Sequence, residues 1–332
     1  MKYVAVFLGE FGYELFNWQG ALRKFAQTLK EEDQLICCSR ASLAPFYEFA
    51  DRYLDISKIS LYKKSVACMY WARSPKNRLS ASWDRKIKKA ILKFVLKKES
   101  KFPFFQKRSG YHFIFSSEEQ ILNGVHFGLN INVSEERLRH LFIYSKDILQ
   151  NNSFKKISPV LSTRTSIERS LGFSLDEPYI LCQTANRKII VRSKESIPKD
   201  NFIASLARDI KVVLLQFNTG RYLDSHSHFS KVDGCFYYPC SSFAEQSCLI
   251  HFAKKVLFFT EGDFRSHIYI PPFLGKDVFA VASQKVYALD TTPIDFWNHS
   301  IFQFGGQIYP FVSEEIFCDA DSEKRFKNHL LR

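Results

Sequence analysis

KYVAVFLGEFGYELFNWQGALRKF, residues 2–25, is the stretch on which the reading of this chain turns. Residues 3–8 are an apolar run of strand length, and Gly9-Glu10-Phe11-Gly12 breaks it. Residues 13–25 then read as a helix: Leu15, Trp18, Leu22 and Phe25 recur at steps of three and four, the spacing of one helical face. In open α/β sheets ligands bind outside the carboxyl ends of strands, and this turn would lie there. Aromatics, glycines and two carboxylates, Glu10 and Glu14, crowd the turn, so it predicts a site. For Glu14 alone a plainer explanation stays open, that an acid in a first helical turn complements the helix dipole.

Outward from this unit the alternation continues. Residues 34–39 predict a second strand, 44–53 a helix with Pro45 near its start, and 54–61 another short strand. Residues 111–115 predict a strand, 124–133 a loop, 134–149 a polar helix and 151–156 a linker. Beyond it, helices are predicted at 159–171, 199–208, 243–253 and 268–274. Strands are predicted at 179–183, 212–217, 236–238 (an edge), 256–260 and 278–282. Strands alternating with helices predict a doubly wound α/β architecture, here in two successive halves. The expected domains are 1–156 and 157–332, with residues 84–108 as an insert in the first.

Composition bounds the class. Of 332 residues, 46% are hydrophobic and 24% charged, which predicts globular domains rather than disorder. The first apolar run ends in Gly-Glu, unlike a signal peptide, and no run reaches the roughly 20 residues of a spanning helix. Cysteines at 37, 38, 68, 182, 235, 240, 248 and 318 form no Cys-x-x-Cys pair. That pattern predicts reduced, mostly buried thiols in a cytoplasmic protein. The 33 phenylalanines have no functional explanation in the sequence.

The net charge of +13 favours anionic partners: nucleic acid, acidic lipid or phosphorylated substrates. Most of it is local. Residues 84–108, DRKIKKAILKFVLKKESKFPFFQKR, hold ten basic residues against Asp84 and Glu99, a net of +8. Trp83, Ile87, Ala90, Ile91, Phe94 and Val95 share a helical face, with lysines largely opposite and Pro103 ending the helix. A cationic amphipathic helix followed by aromatics suits a membrane surface, with Lys86, Lys89, Lys93, Lys97, Phe104 and Phe105 as the expected contacts. A core-packed helix with a solvated lysine face explains the same pattern. Nucleic acid is the weaker reading, since no nucleic-acid fingerprint accompanies the lysines.

In the second half, Glu261-Gly262-Asp263-Phe264-Arg265-Ser266-His267 again follows an apolar strand and precedes a predicted helix. Amides and a hydroxyl at a helix start can hold phosphate, Arg265 adds charge, and Glu261 or Asp263 can bind ribose hydroxyls. An N-capped polar loop is the alternative. A second phosphate candidate is the loop from Gln183 to Lys188, with Arg187, Lys188 and Arg192 close together. His226 and His228 near Asp224 lack further ligands at a convincing spacing, so no metal is expected. Asp319-Ala320-Asp321 sits in a polar tail and reads as chance. No Gly-x-Gly-x-x-Gly, Walker A or Gly-x-Ser-x-Gly sequence is present, which argues against dinucleotide oxidoreductases, P-loop enzymes and α/β hydrolases.

In its order of parts the chain resembles GT-B glycosyltransferases, and more narrowly the bacterial heptosyltransferase-like group of lipopolysaccharide synthesis. Gly9-Glu10 occupies the turn where that family carries a Gly-Asp with the catalytic acid. Gln183 to Lys188, Lys194-Glu195-Ser196-Ile197-Pro198, the helix-then-strand SSFAEQSCLIHFAKKVLFF (residues 241–259) and, loosely, Glu261 to His267 are similar to its donor half. The resemblance implies two Rossmann-like domains facing across a cleft. It also implies sugar transfer from a nucleotide sugar to a glycan or glycolipid at the inner face of the cytoplasmic membrane. Glu10 or Glu14 would be the general base, and Gly12, Tyr13, Trp18 and Gln19 would face the acceptor. Gln183, Arg187, Lys188, Glu261, Gly262, Asp263, Arg265, Ser266 and His267 would hold the donor, with no metal and no cofactor. A nucleotide-sugar epimerase or hydrolase on the same fold, and a basic nucleic-acid-binding protein, are the rival functions.

Overall fold

A computed structural model describes residues 1–7, 11, 14–60, 81–99, 110–115, 152–185, 199–217, 232–260, 266–284, 287 and 294–332. The chain divides into two compact units, Met1–Phe154 and Lys155–Arg332.

In the first unit β1 (Lys2–Val6) leads through a π-helical turn, Glu14–Trp18, into α1 (Gln19–Ala26). β2 (Gln34–Ser39) and β3 (Arg52–Asp55) follow, then α2 (Ala81–Glu99) and β4 (Tyr111–Phe115). The strands are parallel in the order β3-β2-β1-β4, with Val4 opposite Ile36 on one side and Phe113 on the other. Parallel strands covered on both faces read as continuous apolar runs, which is why Val4 to Val6 and Leu35 to Cys38 are apolar and buried.

Two local expectations change. The helix expected at 44–53 is a single 3-10 turn, Ala44–Tyr47, and the chain is back in a strand by Arg52. The aromatics of this segment are modest helix formers and are used as core. Phe46 and Tyr47 are each 2% exposed, and Tyr53 stacks on Tyr47 at 5.5 Å between ring centroids. Asp51, between the two elements, accepts a 2.7 Å hydrogen bond from the Leu35 amide and ties the turn to β2.

The second correction concerns α2. Ile87, Ile91 and Val95 are fully buried and pack with Val4, Val6, Ile36, Cys38 and Leu54 of the sheet. Ile87, Ile91, Phe94 and Val95 of the apolar stripe expected to enter a lipid boundary thus cover the unit's own sheet. Lys86, Lys89, Lys93 and Lys97 are exposed, while Phe104 and Phe105 lie outside the described residues, as do the loop expected at 124–133 and the helix at 134–149.

The second unit begins with a 3-10 turn and α3 (Arg164–Leu171), ended by left-handed Gly172. β5 (Tyr179–Ala185), α4 (Lys199–Ala207), β6 (Lys211–Phe217), β7 (Cys235–Cys240), α5 (Phe243–Phe252) and β8 (Lys255–Thr260) follow. Ser242 caps α5 in a reciprocal pair with Glu245. After β8 come a 3-10 turn (Ser266–Tyr269), α6 (Ile270–Phe273), β9 (Val278–Ala282), α7 (Ile294–Ser300), β10 (Ile308–Val312), α8 (Ser313–Ile316) and α9 (Ala320–Leu331). The parallel order is β10-β9-β8-β5-β6-β7, so β7 is at an edge, as expected.

From residue 294 onward the sequence predicts no element, only a polar tail. The supposed polar tail is α9, and Asp319 is its N-cap, accepting from the Ser322 amide at 2.7 Å. Phe326 and Leu330, one turn apart, are 5% and 0% exposed, and Phe326 stacks on Phe202 at 5.5 Å. Two buried apolar residues in twelve give a faint helical period, yet they join the core cluster formed with β5, β6, β8 and β9.

Candidate functional site

The strand orders locate where a ligand belongs. β7-β6-β5-β8-β9-β10, counted from β5, is 3-2-1-4-5-6, and β3-β2-β1-β4 is the first two-thirds of the same order. In such sheets the binding crevice lies at the carboxyl ends of the strands where the order reverses. In the second unit that point falls between β5 and β8, in the first between β1 and β4.

The strands that precede the expected donor residues meet at that reversal. β5 and β8 run side by side to their ends, with Thr184 opposite Phe259 and Ala185 opposite Thr260. Residues 186–190 and 261–265 continue from these two neighbouring ends, about 4.8 Å apart as adjacent strands are. Gln183 lies in β5, between Leu215 and Phe258, with 3% of its surface exposed. Arg187, Lys188, Glu261, Gly262, Asp263 and Arg265 lie outside the described residues. Ser266 and His267 begin the 3-10 turn, and the α-helix behind it has four residues, two of them proline.

In the first unit Glu14 opens the π-helical turn, a feature frequent at functional sites. It is 2% exposed, and both oxygens are engaged. Oε1 accepts from the Ser39 hydroxyl and, at 2.5 Å, from the Tyr47 hydroxyl, while Oε2 accepts from the Arg40 guanidinium. Burial, with the Glu14 charge next to it, pushes the Tyr47 phenol well up, so it stays a neutral donor. Burial likewise raises the neighbouring Cys37 thiol. Arg40 also lies over the Phe7 ring at 5.4 Å, and its carbonyl accepts from Tyr53. Sequence reasoning missed Ser39, Arg40 and Tyr47; the one signal was a Ser-Arg pair directly at the carboxyl end of β2.

The other acceptor-side residues divide. Glu10, Gly12 and Tyr13 lie outside the described residues. Trp18 and Gln19 are each 1% exposed. Trp18 packs on Phe7 at 5.8 Å, and the Gln19 amide donates to the Leu15 carbonyl at 3.2 Å. Both are buried, whereas the expected acceptor contacts call for an open surface.

The fold and the strand reversals define the class: an α/β protein built of two Rossmann-type units in one chain. Among solved structures, the E. coli ADP-heptose lipopolysaccharide heptosyltransferase II matches with a TM-score of 0.51 at 11% identity over 100% of both chains. A glycosyl transferase family 9 structure from Veillonella parvula matches at 0.50 and 9% identity, over 99% of this chain and 88% of that one. The E. coli heptosyltransferase WaaC with ADP-2-deoxy-2-fluoro heptose matches at 0.50 and 13% identity over 99% of each. No protein-family model and no curated protein matches the chain. The α/β fold implied by the sequence resemblance is the fold found.

Proposed function

We propose that this protein is a glycosyltransferase that moves a sugar from a nucleotide-activated donor to a glycan or glycolipid acceptor of bacterial surface polysaccharide, without a metal. What supports this reading is the adjacency of the strand ends of β5 and β8, from which residues 186–190 and 261–265 continue in sequence, at the reversal of a 3-2-1-4-5-6 sheet. The structural neighbours include one holding an ADP-sugar analogue, which makes a nucleoside diphosphate sugar the donor to test first.

Arg187, Lys188 and Arg265 offset the charge that develops on the leaving diphosphate. Gln183, Gly262, Ser266 and His267 hold the phosphates, and Glu261 or Asp263 the ribose. Glu10 takes the proton from the attacking acceptor hydroxyl. Glu14 is the weaker candidate for that base, because its oxygens already serve three donors inside the unit. Its part is to hold the turn that carries Glu10.

Thermal-shift screening against a panel of nucleotide sugars tests the donor half. A donor at about 100 times its dissociation constant stabilises the protein by about 2.7 kcal/mol. Glu10→Gln should abolish transfer and leave donor binding nearly unchanged; full activity in that variant sinks the assignment. Sugar release that is independent of any acceptor would instead mark a hydrolase.

A further inference from the structure

Among the described residues, α2 presents a strongly charged surface to which the proposed sugar transfer assigns no role. In α2 the apolar residues Ile87, Ile91 and Val95 are consumed by the sheet. Glu99, the acid at its end, has a side chain 6% exposed and is ion-paired to Arg52 at 2.5 Å and Lys2 at 3.5 Å. Opposite the buried stripe, Lys86, Lys89, Lys93 and Lys97 are all exposed. At 3.6 residues per turn these four fall within an arc of about 80° and extend about 16 Å along the helix.

We propose that this lysine rail is a docking surface for an anionic lipid membrane, held by charge alone and without insertion. Three observations favour that partner. The apolar stripe that insertion would need is inside the protein. The rail is all lysine, a set of point charges suited to a diffuse anionic surface, whereas discrete phosphates are better met by the arginine fork. The rail also carries an internal cost. Lys89, Lys93 and Lys97 stand at i, i+4, an arrangement of like charges that destabilises a helix and that a facing anionic surface relieves. The proposal holds whether or not the chain transfers a sugar.

Flotation with vesicles tests it. The protein should float with vesicles of about one-third phosphatidylglycerol in phosphatidylcholine and not with pure phosphatidylcholine. Binding should be lost on going from about 0.1 M to 1 M salt, as the screening length falls from about 10 Å to 3 Å. Each lysine near such a surface adds about fivefold in affinity, so the triple change Lys89→Glu, Lys93→Glu and Lys97→Glu should cost about 100-fold or more. The same charge change on the exposed Arg169, Arg208 and Lys324 of the other unit should cost far less. If the triple variant melts early, the corresponding glutamine variant takes its place. Lys93→Glu alone should raise the melting temperature while weakening binding, since it turns two repulsive pairs into attractive ones. Equal binding to neutral vesicles, equal loss in the control variant, a lower melting temperature for Lys93→Glu, or preferential binding of a single-stranded or duplex oligonucleotide each overturns the proposal.

Discussion

Glu14 and Arg40 form an ion pair in which the carboxylate side chain is 2% exposed and the guanidinium 19%. The pair joins the π-helical turn after β1 to the carboxyl end of β2, the two neighbouring strand ends nearest Glu10 in sequence. Tyr47 and Ser39 complete the shell around the carboxylate. A buried charge with its partner removed is strongly destabilising, by about 3–5 kcal/mol. Because Arg40 keeps some contact with water, Arg40→Met should fall at the low end, about 3 kcal/mol in urea melts. Adding Glu14→Gln to that variant should recover at least about 1 kcal/mol, since the two residues share one network. Strict additivity would mean that the pair is not coupled.

The buried face of α2 makes the opposite kind of prediction. Ile91 is fully buried among Val4, Val6 and Ile36. Ile91→Ala should cost about 2–5 kcal/mol, the range for deleting buried methyl and methylene groups from a close-packed core. A change below about 0.5 kcal/mol would mean that the helix is loosely held and that its apolar face is free for another partner.

The second unit depends on its last helix in the same way. Phe326 packs between Phe202 and Phe311, with ring centroids 5.5 Å and 4.8 Å away. Phe326→Ala should destabilise by about 3–5 kcal/mol. Equilibrium unfolding would show this as a shifted midpoint with an unchanged slope.

A pH dependence resides in His251, at the end of α5. Burial, followed by the charges of Lys276 and Lys156, holds its imidazole below the usual value of about 6.5. The unfolded chain therefore takes up this proton at a higher pH than the folded one, so stability falls as pH drops through about 6.5 toward the lower folded value. Between pH 7.5 and 5.5 the wild type should lose more thermal stability than His251→Gln. Equal losses would show that other groups carry the acid sensitivity.

Much of the fold was legible because parallel strands buried on both faces must be apolar throughout. Val256 to Phe259 and Val278 to Ala282 can hardly be anything else. At residues 44–53 the helix-start signal of Pro45 yields only a single 3-10 turn, because the tertiary contacts of Asp51 and Tyr53 draw the chain into β3. Asp319 was dismissed because a cap is recognisable only once its helix is, and Phe326 and Leu330 alone gave too little period to see it.

By itself the sequence determined the alternation of strands and helices, the glycine-broken turns after two of the strands and the concentration of charge in one helix. All three are local properties, read from neighbours along the chain. Only the tertiary structure decided that β5 and β8 are adjacent, that Glu14 meets Arg40 and that the lysine helix turns its apolar face inward. Those outcomes depend on which distant segment fills each face, and a periodic pattern specifies that a face will be covered without specifying by what.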